Sequence, residues 1–425
     1  MTVHVYMSTD YGAPALSSAS GKLVDVFKAC LVDGYGEQTI SISRSGSTAT
    51  ITTTSPHGIS YSTWYIVSGA AQAEYNGTFR VTPASTTTLT YTVTGTPATP
   101  ATGTLLGKVA PAGWTTVIDA TSSVLLQNAG SARYFKIKDD GYQTNIQTST
   151  DFGRASITGA KNYSDINSLV TPFPRTISGT NRHDNNAYGA PVLKKTKWMI
   201  IADEATCYYL TNDTGMTSAV SSSVYTYCYG FGDLKLLGNV TSNPKAFVNG
   251  EKLNLTGGGR GGGMMRYAGL GGYMEHPLTG GAESTRFYID SGYANAAPLL
   301  SRNQSLTTYN CDLAATIFPN PITGALQLQS FIICDDTNNI VRSTKHTGYI
   351  FERFATYAGF YGCQHSFSVD VGAYKVCDTF DTVTTGGRSY LIFNGLADYN
   401  QYDNGTDGSA QTLDGAVAID ITGPW

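Results

Sequence analysis

Leu31-Val-Asp-Gly-Tyr-Gly36 ends one pattern, and Pro111-Ala-Gly-Trp-Thr115 resumes it. Before Leu31 the apolar residues recur at helical spacing; after Trp114 they alternate as in strands. Between lies a Ser/Thr-rich segment of different composition, residues 38–108. The change of composition reads as a small β module spliced into an early loop of a larger β-rich body. Gly36 and Trp114 should then lie close in space, because an insertion carried by a surface loop has neighbouring ends. On this reading the body folds without the module.

The approach to Leu31 is the clearest helix in the chain. Ser20 is a candidate N-cap, and Leu23, Val26, Phe27, Cys30 and Leu31 follow on one face. Gly34 suits a left-handed C-cap. Upstream, Val3, Val5 and Met7 alternate as in a strand, and Ser8-Thr-Asp-Tyr-Gly-Ala-Pro14 reads as a turn.

Inside the module, Ser47–Thr54, Trp64–Val67, Phe79–Thr82 and Thr88–Val93 are β-branched or aromatic runs. Asn76-Gly77 stands where a tight turn belongs. Ser55-Pro-His-Gly58 marks another turn, which would leave His57 in solvent. About five short strands in so few residues must close into a small barrel to cover their edges. Thr96-Pro-Ala-Thr-Pro-Ala-Thr-Gly103 reads as a semi-rigid return linker.

Past Trp114, Val117-Ile118, Val124–Leu126, Arg133–Lys138 and Arg154–Thr158 are strand candidates, and 162–174 reads as loop. Trp198–Ala202 and Thr206–Leu210 read as two strands joined at Asp203-Glu204. In Val224–Phe231 a tyrosine ladder places Tyr225, Tyr227 and Tyr229 on one face. Such a stripe is one wall of a packed sheet, a carbohydrate platform or a subunit contact. Leu326–Cys334, Ile350–Phe354, Ser366–Asp370 and Arg388–Phe393 extend the strand pattern, without βαβ alternation. The expected fold is mainly β, with a sandwich- or barrel-like body, one short N-terminal helix and the inserted barrel. The divisions are 1–37, 38–108, 109–250 and a C-terminal β-rich part, 251–425.

Charged residues are only 14% of the 425, against the ~25% usual in globular chains. Gly reaches 47 and Tyr 28. With 41% hydrophobic residues, many aromatic or β-branched, the chain has the means to bury a core and is not a disordered one. A net charge of −4 lacks the basic face of a general nucleic-acid binder. Seven cysteines, an odd number with no CxxC spacing, argue against a zinc or disulfide framework. They fit reduced, buried thiols in a chain made in the cytoplasm. The first residues lack the basic segment and apolar core of a signal peptide, and no apolar run approaches ~18 residues, so neither general secretion nor membrane insertion is expected.

Gly-x-Ser-x-Gly and His-Glu-x-x-His do not occur, and the six histidines show no ligand spacing. Asp139-Asp140 and Asp335-Asp336 sit beside Gly or Asn, as turns require. No catalytic residue and no cofactor is expected, although a pair of glycosidase carboxylates drawn from different strands leaves no sequence signature. Asp403, Asp407 and Asp414, with Gly408, partly match a calcium loop. Gly405 stands where a side-chain ligand is required, so a plain Asx/Gly-rich loop is the simpler reading. Gly257-Gly-Gly-Arg-Gly-Gly-Gly-Met-Met-Arg266 lacks the Gly-Lys-Ser/Thr ending of a phosphate loop. It reads as a flexible loop, or as one that orders on a neighbouring subunit through Met264 and Met265.

Several motifs carry a resemblance. Ser8-Thr-Asp with Ala13-Pro14, residues 23–36, Pro111–Thr115, Arg133–Gly141, Arg154-Ala-Ser with Ser164-Asp and Pro172-Phe-Pro174, Trp198–Glu204 and Tyr229-Gly-Phe-Gly-Asp233 occur in that order. Over 1–36 and 110–240 the chain thereby resembles a family of tailed-phage virion proteins, in which the glycine end of the helix runs almost directly into Ala-Gly-Trp-Thr. Thr50–Gly58, Tyr75–Phe79 and Leu89–Val93 make the module similar to a small β-barrel of phage tail proteins and to a half-domain of ubiquitin-activating enzymes. In the phage setting that module is a spacer or adhesion unit, and no catalytic residue carries over.

The resemblance implies a non-enzymatic structural component of the virion, made in the host cytoplasm. It would be a neck, collar or tail-attached protein, assembled as a symmetric oligomer with the barrel projecting outward. Its partners would be copies of itself and other virion proteins, not nucleic acid or membrane. An alternative is an adhesin or receptor-binding protein that takes a host surface glycan on the barrel or on the Tyr225–Tyr229 face. A capsid decoration protein and a polysaccharide depolymerase are the further alternatives.

Overall fold

The computed structural model describes residues 2–17, 19–141, 155–170, 172, 198–212, 226–233, 236–237 and 246–251, followed by 271–275, 284–287, 327–329, 332–334, 347–349, 353–356, 359–363, 368–370, 381–385, 388–394 and 416–422. In chain order these begin with β1 (His4–Met7) and α1 (Lys22–Lys28). Then come β2 (Tyr35–Ser45), β3 (Thr48–Thr53), β4 (Thr63–Ala70), β5 (Gly77–Pro83), β6 (Thr88–Thr92) and β7 (Gly103–Val109). Next are β8 (Thr115–Ala120), β9 (Ser123–Gln127), β10 (Tyr134–Asp139), β11 (Ala155–Ala160), β12 (Asn162–Asp165) and β13 (Ser168–Val170). After these run β14 (Trp198–Ala202), β15 (Thr206–Asn212), β16 (Thr226–Asp233), β17 (Leu236–Leu237), β18 (Ala246–Glu251), β19 (Gly271–Glu275) and β20 (Ser284–Phe287). The fold is mainly β, and α1 is the one α-helix among the described residues.

Strands β2-β3-β6-β5-β4-β7 form a closed barrel. Period-two alternation builds it: on β3, Ala49, Ile51 and Thr53 point in while Thr48 and Thr52 face solvent. Ile40, Ile42, Tyr65, Val67, Val81, Leu89 and Tyr91 complete the interior. The barrel has six strands and runs from Tyr35 to Val109. Its closing pair, β2 with β7, uses residues that read in the sequence as helix stop and linker end. The Asn76-Gly77 hairpin is not a two-residue turn: a 3-10 turn (Ala73–Tyr75) precedes it. The Asn76 side chain ties the loop by accepting from Ala70 N (2.9 Å) and donating to Ala70 O (2.7 Å).

His57 is buried rather than solvated. Its Nδ1 accepts from Ile59 N (3.0 Å), so the proton is on Nε2, which donates to Ser85 O (2.8 Å). The stretch 162–174 is also corrected, because it contains the hairpin β12–β13, where Tyr163 packs edge-on against Tyr134 with ring centroids 4.8 Å apart.

In the body, β1-β14-β15-β16-β18-β19-β20 form one antiparallel sheet, and β11-β10-β9-β8 a second. Aromatic rings join them. Phe231 meets Phe27 at 5.4 Å, Phe135 at 5.5 Å and Trp114 at 5.5 Å; Phe27 also meets Tyr209 at 5.3 Å. These rings are fully or almost fully buried, and each such pair adds about 0.5–1.5 kcal/mol beyond its area. Helix α1 is held at both ends by distant residues. Its N-cap position is Gly21, at φ 82, not Ser20. The Ser20 hydroxyl donates to Asp139 O (2.8 Å), and the free Leu23 N–H is accepted by the Asp139 carboxylate (2.8 Å). At the other end α1 widens into a π-turn, Ala29–Asp33. Gly34 follows at φ 71 and ψ 172, a positive φ but not the left-handed helical cap.

The returning chain takes up that helix end. Cys30 O accepts from Ala112 N (2.9 Å), and Leu31 O accepts from Gly113 N (3.0 Å) and Trp114 N (2.9 Å). Tyr35 pairs with Val109. The module is therefore joined at a sealed seam, and it is not a detached knob. Buried side chains of barrel and body form one continuous hydrophobic cluster. Thr63 donates to Val5 O (2.9 Å), Tyr6 and Tyr35 pack at 6.1 Å, and Tyr11 N donates to His57 O (2.9 Å). Gly36, at φ +69, is pressed so close to the Tyr11 carbonyl that a Cβ has no room.

Two outcomes test this joint. Gly36→Ala is expected to lower unfolding stability by on the order of 2–3 kcal/mol. Gly46→Ala, at a turn with open space around it, should cost about 1 kcal/mol; urea unfolding followed by tryptophan fluorescence separates the two. Excision of residues 38–108 with closure of the seam should leave a body of markedly reduced melting temperature, because Val5 and Tyr6 lose their cover.

Candidate functional site

One buried polar arrangement lies where barrel and body meet. After β1 the chain turns back on itself, and Met7 N donates to the Asp10 carboxylate (2.9 Å). From the first barrel strand, the Tyr35 hydroxyl donates to the same oxygen (2.6 Å). Asp10 is buried. Burial pushes its carboxyl up to about 6, against the opposing pull of the Tyr35 and Met7 donors. Burial likewise raises Tyr35 and Cys30, which border it.

A second clasp forms at the turn between β14 and β15. Asp203 Oδ1 accepts from Ala205 N (2.8 Å) and Thr206 N (2.7 Å), and Asp203 O accepts from the Trp114 indole (2.8 Å). Its Oδ2 is buried without a partner among the described residues. Burial raises this carboxyl to about 6, and Glu204 adds to the effect. A third clasp fixes the β9–β10 turn: Asn128 Nδ2 donates to Ala205 O (2.9 Å), and Ser131 N to the Asp233 carboxylate (2.7 Å). Asp10, Asn128 and Asp233 tie groups from different elements together, whereas the Asp203 carboxylate closes its own turn.

His4 stacks on Tyr6 at 5.7 Å and lies 6.1 Å from the Trp64 ring. Burial lowers its pKa to about 4, the Ala110 carbonyl acting in the opposite direction, so it is neutral near pH 7. Beside it an open groove of about 430 Å³ is lined by Thr2, His4, Trp64, Thr78, Pro111, Ala112 and Glu204. One side comes from the outer barrel face, the other from β1, the return segment and the Asp203-Glu204 turn.

The residues singled out in the sequence fall elsewhere. Register places Tyr229 opposite the buried Tyr209 and Tyr227 opposite Thr211 along the β15–β16 pair. Tyr225, Met264, Met265, Asp403, Asp407 and Asp414 lie outside the described residues. Cys30 and Cys207 are buried and are not joined in a disulfide. Among the described residues no cluster of three or more His, Cys, Asp or Glu side chains could hold a metal ion, and no helix is long and apolar enough to cross a membrane. Sequence reading missed the clasps and the groove. Asp203-Glu-Ala-Thr206 has the form of an Asx turn and offered a local signal; the groove, drawn from residues 2 to 204, offered none.

No protein-family model matches the chain, and no curated protein matches it. Among solved structures, the phage phi92 endosialidase aligns at 14% identity with a TM-score of 0.15, over 91% of this chain and 52% of its own. The chain thus spans about half the length of that enzyme, and a score so low carries no argument about shared fold or activity.

The carboxyl shifts set a pH dependence. With a folded pKa above the unfolded one, Asp10 and Asp203 keep their proton longer when folded. Their contribution is present at and below pH ~4 and is lost as pH rises through about 6. His4 acts oppositely, its contribution being lost as pH falls from 6.5 towards about 4. Asp10→Asn is expected to be more favourable at pH ~7.5 than at pH ~4 by about 2–3 kcal/mol relative to the parent chain. Urea unfolding at the two pH values measures it, and equal effects at both would contradict the assignment.

Proposed function

We propose that this chain is a structural component of a tailed-phage particle, a neck, collar or tail-attached protein that assembles with copies of itself and with other virion proteins. The observation that carries the reading is the junction. Asp10, Asp203 and the part-buried Asp233 accept from backbone N–H groups and hydroxyls at turns. With the seam at Leu31, the Asp10–Tyr35 bond fixes one closed barrel on the body, which is mechanical use of groups an enzyme would keep for substrate. The ordered motifs that resemble those of tailed-phage virion proteins suggest the setting. Low charge and abundant tyrosine suit extensive burial against neighbours. The barrel's Thr-rich outer face is the part directed outward, and the chain has no catalytic role on this reading.

A density map of the intact particle is the test. Copies of the Tyr35–Val109 barrel repeated around a symmetry axis of the neck or tail are expected. A particle that lacks the chain, or holds it as a single copy, would overturn the reading. Light scattering on the purified chain should give a mass that is a multiple of 45.2 kDa.

A further inference from the structure

We propose that the three-stranded sheet formed by Asp381–Thr385, Arg388–Asn394 and Ala416–Asp420 is a strap that Arg80 latches onto the inserted barrel, and that the strap opens while barrel and body stay folded. The inference stands apart from the assembly reading, because strap and latch belong to one chain.

Val81 on β5 points into the barrel, so its neighbour Arg80 faces outward, where it is exposed. The Arg80 guanidinium donates to two successive carbonyls, from Nη1 to Thr422 O (3.3 Å) and from Nη2 to Ile421 O (3.3 Å). These carbonyls stand just past the last register pair of the sheet, Tyr390 with Asp420. Ile421 N donates to Ser389 O (2.9 Å), and the Thr422 hydroxyl accepts from Ser389 N (2.5 Å). The residues that Arg80 grips are thereby tied to the middle strand of the sheet. A planar guanidinium suits this task, because its fork offers several donors at fixed spacing. The Ile421 side chain is buried in the hydrophobic cluster that barrel and body share.

The latch lies at a rim. Both donations are long, and they join residues 341 and 342 positions apart, so loop closure works against the contact. The barrel, by contrast, is closed by six paired strands. A segment held at a solvent-exposed rim opens at lower free energy than a closed ladder. Opening bares Ile421 and frees both guanidinium donors, which leaves an apolar patch beside a cation on the barrel.

Hydrogen exchange of the full chain, read by mass spectrometry of its peptides, tests this. In the unmodified chain, peptides covering 388–394 and 416–422 should exchange at least about tenfold faster than the β3–β6 peptides of the barrel. Arg80→Ala should speed the strap peptides by about a further tenfold and leave the β3–β6 peptides unchanged. Arg80→Lys, which keeps the charge and loses the planar fork, should fall between the two. Arg44→Ala is the control, since Arg44 donates within the barrel, to Pro97 O (3.1 Å) and Gly46 O (2.5 Å). It should leave the strap at its parent rate. Strap and barrel exchanging at one rate in the unmodified chain would overturn the proposal without any variant. Unchanged strap exchange in Arg80→Ala, equal acceleration of strap and barrel by it, or the same strap acceleration in Arg44→Ala would each do so too.

Discussion

The Leu31 carbonyl, which accepts the N–H of both Gly113 and Trp114, is the constraint on which the rest depends. A helix end leaves carbonyls that need donors. Here the donors come from a chain that has travelled through an entire barrel and returned. The π-turn at Ala29–Asp33 opens the last turn of the helix so that Cys30 and Leu31 can both be reached. Trp114 is thereby positioned to place its ring among Phe135 and Phe231, and its indole N–H on Asp203. One backbone seam fixes the barrel's attachment, the helix terminus and the aromatic centre of the body.

Ion pairs such as Lys22–Asp25, Lys28–Asp119 and Lys138–Asp140 lie on largely exposed or part-exposed side chains and contribute little. Buried order comes from carboxylates and amides that accept or donate to backbone at turns. A carboxylate bound this way costs desolvation, which is why Asp10 and Asp203 titrate high. The cost is offset by specificity, because only one arrangement of the turns satisfies the same oxygens.

A rigid joint also makes a fixed surface. The barrel's outer strands and the first strand of the body are locked at one angle, so a groove between them keeps its shape.

Much of the architecture was legible locally. Alternation of Thr with apolar residues marked the barrel strands, and the Asp203-Glu204 punctuation marked the β14–β15 hairpin, because strand periodicity and turn chemistry are short-range. The sequence also held the composition break at Gly36 and Trp114. What it could not show is which distant group completes each local element. Asp139 serves the Leu23 N–H from 116 residues away, β2 and β7 close the barrel although Gly36 and the Pro/Thr run obscure their strand pattern, and His57, in what reads as a solvated turn, is buried by Ser85 and Ile59. Sequence by itself determined periodicity and burial pattern. Tertiary structure alone decided the seam, the clasps and the groove, because leftover donors and acceptors are satisfied by whatever the folded chain brings within hydrogen-bond reach.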